Sequence, residues 1–237
     1  MNAIILAAGA GVRLRPWTDD RPKGLVEIEG VSLIERQIQF FRERGVTEIV
    51  IVAGYRADRF DALIARYPGI TLVFNDKYDA YNNIYTVYLV RDRIGDSYVS
   101  EADVCMHENY LPAHPDHSLI FGGYRKGFAK EWIIRCDESR RIRRIDVQGG
   151  EGVIQSGLTY WTARDAPLIR DRLEELIGDG DFETRYWDDV FMSLFGRLEV
   201  YLHEIDPAAW TEIDSPSDLE EARRRERFGR PPSPLHD

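Results

Sequence analysis

The sequence predicts an α/β protein: a doubly wound, mostly parallel sheet with an antiparallel extension. Three observations carry that expectation. Short apolar runs alternate with stretches of helical period through the first half of the chain. A glycine-bearing loop follows the first run directly, where open parallel sheets place their ligands. After about residue 115, strand-like runs succeed one another with only turn signals between them.

The elements follow in order. Ala3 to Leu6 is short and continuously apolar, as a strand buried on both faces must be. Ser32 with Glu35 forms a capping-box pattern, Ile34, Ile38 and Phe41 make an apolar stripe, and Gly45 stops the helix. "EIVIVA" and "ITLVFN" are the second and third strands, separated by Phe60, Leu63, Ile64 and Tyr67 at helical spacing. Asn82 or Asn83 caps a helix carrying Val87, Leu89 and Val90, and "DSYVSEAD" is the fourth strand. Then "HSLIFGGYR", "EWIIRC", "IRRIDV" and "IQSGLTYW" read as four strands. Helical patterns lie near Ala166–Ile177 and Glu183–Phe195, "LEVYLHEI" is a late strand, and Ser217 to Arg227 is a terminal helix. These elements imply one domain over 1–228, with halves 1–115 and 116–215, a terminal helix at 216–228, and a mobile tail at 229–237.

Composition narrows the function. The 237 residues carry a formal net charge of -10, with 43% hydrophobic and 30% charged residues, which is ordinary for a globular protein. An acidic balance argues against nucleic acid as partner, because that binding rests on a basic surface. No apolar run approaches the roughly 20 residues of a membrane helix. The first strand begins at Asn2, leaving no room for a leader, and the two cysteines, Cys105 and Cys136, lack metal-ligand spacing and read as packing residues of a reducing compartment. The expectation is a cytoplasmic protein without membrane insertion.

Against that acidic background, the loop "AAGAGVRLRPWTDDRPKGL" gathers Arg13, Arg15, Arg21 and Lys23. A local cationic loop in an acidic protein points to a small anionic ligand. Gly9 and Gly11 permit close backbone approach, backbone N–H groups can cradle phosphate, and Arg13 and Lys23 can add charge-assisted bonds. The dinucleotide fingerprint fails, since its third glycine position is Leu14, and no Walker A string exists.

The loop "LAAGAGVRLRPWTDDRPKGL" resembles the signature of the nucleotidyltransferases that join an NTP to a phosphorylated small molecule. Within that superfamily the likeness is to bacterial CTP:phosphocholine cytidylyltransferases, carried further by "VFNDKYDAYNNIYTVYLV", "SYVSEAD", "EWIIRC", "RYWDD" and "EIDSPSDL". The resemblance implies a Rossmann-like fold, with Ala8 and Gly9 against the base, Ala7 and Gly11 also in the nucleotide-binding segment, and Arg13 and Lys23 on the triphosphate. It puts Asn82 and Asn83 beside base and ribose, where the plainer alternative is a helix cap. Gly24 departs from the pattern, which expects a small residue such as alanine there.

Nucleotidyl transfer needs positioning and charge stabilisation more than covalent help. Mg²⁺ suits the task and takes one or two carboxylates. Asp103 ends a strand on the ligand side of the sheet; Asp214 precedes the terminal helix and could equally cap it. The resemblance places the family's metal aspartates at both.

For the acceptor, Trp132, Tyr186 and one of Tyr160 or Trp161 supply rings, since consecutive strand residues face opposite ways. Asp188, Asp189 and Glu212 supply acids. Rings and acids together suit an ammonium group, and the resemblance puts Arg125 near the acceptor phosphate. The implied reaction joins CTP to phosphocholine, releasing pyrophosphate, with 2-aminoethylphosphonate or phosphoethanolamine as the alternative acceptor. A sugar-1-phosphate acceptor and a nucleotide-binding module without turnover are the competing readings. The sequence leaves the oligomeric state open.

Overall fold

A computed structural model of the chain describes residues 1–180 and 182–228. Its strands are β1 (Asn2–Ala7), β2 (Glu27–Ile28), β3 (Val31–Ser32), β4 (Glu48–Ala53), β5 (Ile70–Phe74), β6 (Ser97–Glu101), β7 (Val104–Met106), β8 (Ser118–Cys136), β9 (Ile142–Trp161), β10 (Val200–Glu204) and β11 (Trp210–Glu212). The helices are α1 (Leu33–Glu43), α2 (Asp61–Arg66), α3 (Asn83–Tyr88), α4 (Ala166–Gly178), α5 (Trp187–Met192) and α6 (Pro216–Phe228). The expected mobile tail, 229–237, lies outside the described residues.

Seven strands form the central sheet in the order β10-β8-β9-β6-β1-β4-β5. β1 lies parallel to β4 and β6, and β4 to β5, while β9 runs antiparallel between β6 and β8. This is the doubly wound sheet with an antiparallel extension, although β10 closes the far edge parallel to β8. Side chains of β1 alternate between two buried clusters: Ala3, Ile5 and Ala7 pack with α1, and Ile4 and Leu6 pack with α3 and α4. That two-sided burial is why the strand sequence is continuously apolar.

Two features differ from expectation. The four strands of the second half are two, because β8 and β9 run on through bulges as one long hairpin. The hairpin doubles back so far that Ile133 pairs with both Asp146 and Ile154, which carries Glu131 and Trp132 over the ligand side of the sheet. Helix α5 starts late: Asp189 accepts from the Tyr186 N–H at 2.8 Å, which fixes Tyr186 in extended backbone before the helix. Helix α1 begins as expected, with the reciprocal Ser32–Glu35 capping box in place.

Candidate active site

A cleft of about 720 Å³ opens at the carboxyl ends of β1 and β6. The signature loop forms its floor. Gly11 has φ +58°, a left-handed turn that leads into the single turn Val12–Leu14, and its carbonyl accepts from the Thr18 hydroxyl at 2.9 Å. Gly24 is explained by contact: a Cβ there would stand 3.0 Å from the Cβ of Ala102, so glycine lets the Lys23 turn press against the end of β6.

Lys23 occupies the centre. Its ammonium donates to Asp103 Oδ2 at 2.7 Å and to Asp214 Oδ1 at 2.6 Å. Burial opposes its charge, but the two carboxylates outweigh burial and hold Lys23 above the usual lysine range. Burial likewise raises Asp214, and Lys23 outweighs it to hold the carboxyl below the usual range. Arg13 reaches Asp214 Oδ1 at 2.8 Å from a largely exposed position. The other two loop cations turn away, Arg15 to Asp19 and Arg21 to Asp20.

Two aspartates far apart in sequence meet because their strands are stitched together. β7 pairs with β11, and the Ile213 N–H donates to the Asp103 carbonyl at 3.0 Å. The capping alternative for Asp214 is filled by others: Ser215 and Asp218 make the cap of α6, with Asp218 Oδ2 accepting from the N–H groups of Asp214 and Ser215. The Asp214 carboxylate is left to Lys23, Arg13 and the side chain of Glu212. Asp103, Glu101 and Glu212 bring carboxylate oxygens within 4.8 Å of one another. Burial first, then Asp103 and neighbouring acids, push Glu101 well above the usual carboxylate range. The same causes push Glu212 up to about 8.

On the opposite wall, Trp132 and Tyr186 stand edge to face with centroids 6.1 Å apart. Asp188 is buried and lines the same cleft; its Oδ1 accepts from Gln155, and burial pushes it up to about 6 against that bond. Asp189, by contrast, is spent on the start of α5.

The cleft therefore brings together Ala7, Ala8, Gly9, Gly11, Arg13 and Lys23 with Asn82, Asn83, Asp103 and Asp214, and with Trp132, Tyr186, Asp188 and Glu212. It does not take in two expected acceptor residues. Tyr160 is buried opposite Tyr98 in the β6–β9 ladder, ring centroids 4.9 Å apart, because the antiparallel register sets the end of β9 against the amino end of β6, away from the cleft at its carboxyl end. Trp161, its alternative, is fully buried on the other face against Trp187 and Phe191. Arg125 lies over the Trp210 ring at 4.1 Å and donates to the Pro207 and Trp210 carbonyls, holding the approach to β11. Sequence reasoning missed Glu101 and Gln155. Glu101 stands two residues before Asp103 at the same strand end, which was a usable signal; Gln155 carries none.

A family model described as the MobA-like NTP transferase domain matches residues 3–93, the half that carries the signature loop. The chain is 39% identical over 229 residues to the choline-phosphate cytidylyltransferase of Streptococcus pneumoniae, covering 95% of this chain and 100% of that protein. It is 32% identical to the 2-aminoethylphosphonate cytidylyltransferase of Lancefieldella rimae, over 92% of this chain and 90% of that one. The solved structure of the S. pneumoniae CTP:phosphocholine cytidylyltransferase superposes with a TM-score of 0.91 at 38% identity, covering 94% of this chain and 97% of the other. With the Lys23-centred cleft and the Rossmann-like sheet beneath it, these likenesses make the chain a nucleotidyltransferase that belongs to the cytidylyltransferase family.

Proposed function

We propose that the cleft joins CTP to phosphocholine, giving CDP-choline and pyrophosphate. The carrying observation is the Trp132–Tyr186 ring pair together with buried Asp188 in the same cleft as the Lys23–Asp103–Asp214 centre. A trimethylammonium head has no N–H donors, so ring faces and a diffuse negative field are what recognise it.

The chemistry follows from charge. The triphosphate replaces Asp103 and Asp214 as partner of Lys23 and Arg13, whose ammonium and guanidinium then face phosphate oxygens. That exchange frees the two aspartates. Asp103 with Glu101 and Glu212 forms a hard-oxygen donor set, Asp214 stands across Lys23 from it, and among the described residues Asp103 Oδ1 is buried without a hydrogen-bond partner, so the site fits Mg²⁺. Asp103 and Asp214 would hold Mg²⁺, which would supply charge neutralisation to the phosphate being transferred. A phosphate oxygen of phosphocholine attacks the α-phosphorus; that P–O bond forms as the bond from the α-phosphorus to the α–β bridging oxygen of CTP breaks, and that oxygen leaves with its electron pair as a terminal oxygen of pyrophosphate. The attacking phosphate is already ionised near neutrality, so no general base is needed.

A second reading has 2-aminoethylphosphonate as acceptor. It is favoured by Asp188 and Glu212, which offer acceptors to a primary ammonium. Competing the two acceptors for one CTP pool separates the readings: phosphocholine is consumed first if the rings decide, the phosphonate if the acids do. Cys105 is buried, as expected of a packing residue, whereas Cys136 is exposed; among the described residues, no helix is long and apolar enough to cross a membrane.

A further inference from the structure

We propose that Asn82 and Asn83 are positioning residues for the acceptor pocket and not ligands of the nucleotide. The inference rests on the acceptor assignment above and concerns how that pocket is held.

Neither asparagine caps α3 through its side chain. Their polar groups are spent on the segment that leads into α5. Asn83 Oδ1 accepts from the Trp187 N–H at 2.7 Å, at the first residue of that helix. The Asn82 amide donates from Nδ2 to the Thr184 carbonyl at 2.8 Å, and its backbone N–H donates to the Glu183 carbonyl at 3.2 Å. Phe182, at the head of the segment, packs on Tyr81 with centroids 4.8 Å apart. Residues 182–187 are thus hung on α3 and the turn before it.

The remaining group of Asn83 points the other way: Nδ2 donates to Glu101 Oε1 at 3.0 Å. One amide therefore ties the metal-side carboxylates at the end of β6 to the start of α5. Tyr186 precedes that tie by one residue and Asp188 follows it by one. α5 has only six residues, so its placement depends on such external bonds. Without the tie, the ring of Tyr186 and the carboxylate of Asp188 lose a fixed distance to the reacting centre.

The test is Asn83→Ala, assayed by pyrophosphate release with CTP and phosphocholine and, in parallel, by hydrogen exchange. The expected result is an acceptor KM raised about tenfold, the scale of one or two net hydrogen bonds, with the CTP KM within about twofold. Amides of 187–189 exchange faster while those of 7–13 are unchanged. Asn82→Ala, which loses one surface bond, moves the acceptor KM the same way by less and covers the case in which Asn83→Ala does not fold. A CTP KM that rises as much as the acceptor KM, or exchange at 187–189 that stays as in wild type, overturns the proposal. If the enzyme prefers another amine, the acceptor reading falls, and the same split is read with that amine. The exchange readout stands whatever the acceptor.

Discussion

The backbone N–H of Ile213 donates to the carbonyl of Asp103 at 3.0 Å, and this bond sets the carboxylates of Asp103 and Asp214 on either side of one lysine. The site is built by strand pairing between β7 and β11 and not by proximity in sequence.

Lys23→Ala should lower kcat/KM for CTP by about ten- to a hundredfold, the loss of a charged partner worth about 1.5–3 kcal/mol. It also leaves two carboxylates facing each other. Added Mg²⁺ should therefore raise the thermal midpoint of the variant more than that of wild type, and thermal melts with and without the ion check this.

Asp103→Ala and Asp214→Ala should each lose most turnover while circular dichroism stays native. Asp218→Ala makes the contrast. It removes the cap partner of α6, so it should cost about 1 kcal/mol of stability and leave kcat near wild type. Chemical denaturation alongside turnover separates the two kinds of aspartate.

Burial pushes the Asp188 carboxyl up from the ordinary 3.8 to about 6 in the folded chain. Above the lower value the unfolded chain releases this proton more readily, so Asp188 opposes folding as pH rises from 3.8 to about 6, and fully beyond. Asp188→Asn should accordingly match or exceed wild-type stability at pH 8. It should also lose the rise in phosphocholine KM that wild type shows as pH falls below about 6 and the carboxylate protonates. KM profiles over pH for both proteins test the pair.

Trp132→Ala should depress phosphocholine use by about one to two orders of magnitude, through lost cation–π contact and packing, with CTP binding little changed. Separate titrations of the two substrates read this directly.

Much of this site was legible. The strand-then-glycine-loop pattern located Lys23 and Arg13, because parallel strands present their ends to ligands. Asp103 was legible as a strand end; Asp214 was ambiguous until Ser215 and Asp218 were seen to cap α6. The acceptor wall was harder. Tyr160 and Arg125 have the right chemistry, but register buries one and the Trp210 ring takes the other. Which aromatic faces a cleft depends on how far the β8–β9 hairpin folds back, and that is set by pairings such as Ile133 with Ile154, far apart along the chain.

The central claim is that one cleft transfers the cytidylyl group of CTP to phosphocholine. Pyrophosphate release should be measured with Mg²⁺, each of the four NTPs, and phosphocholine, 2-aminoethylphosphonate and a sugar-1-phosphate in turn, on wild type and Asp103→Ala. The account predicts that CTP with phosphocholine gives the highest kcat/KM and that Asp103→Ala abolishes it. Fast release with a sugar-1-phosphate, or none with CTP and any phospho-amine, contradicts it.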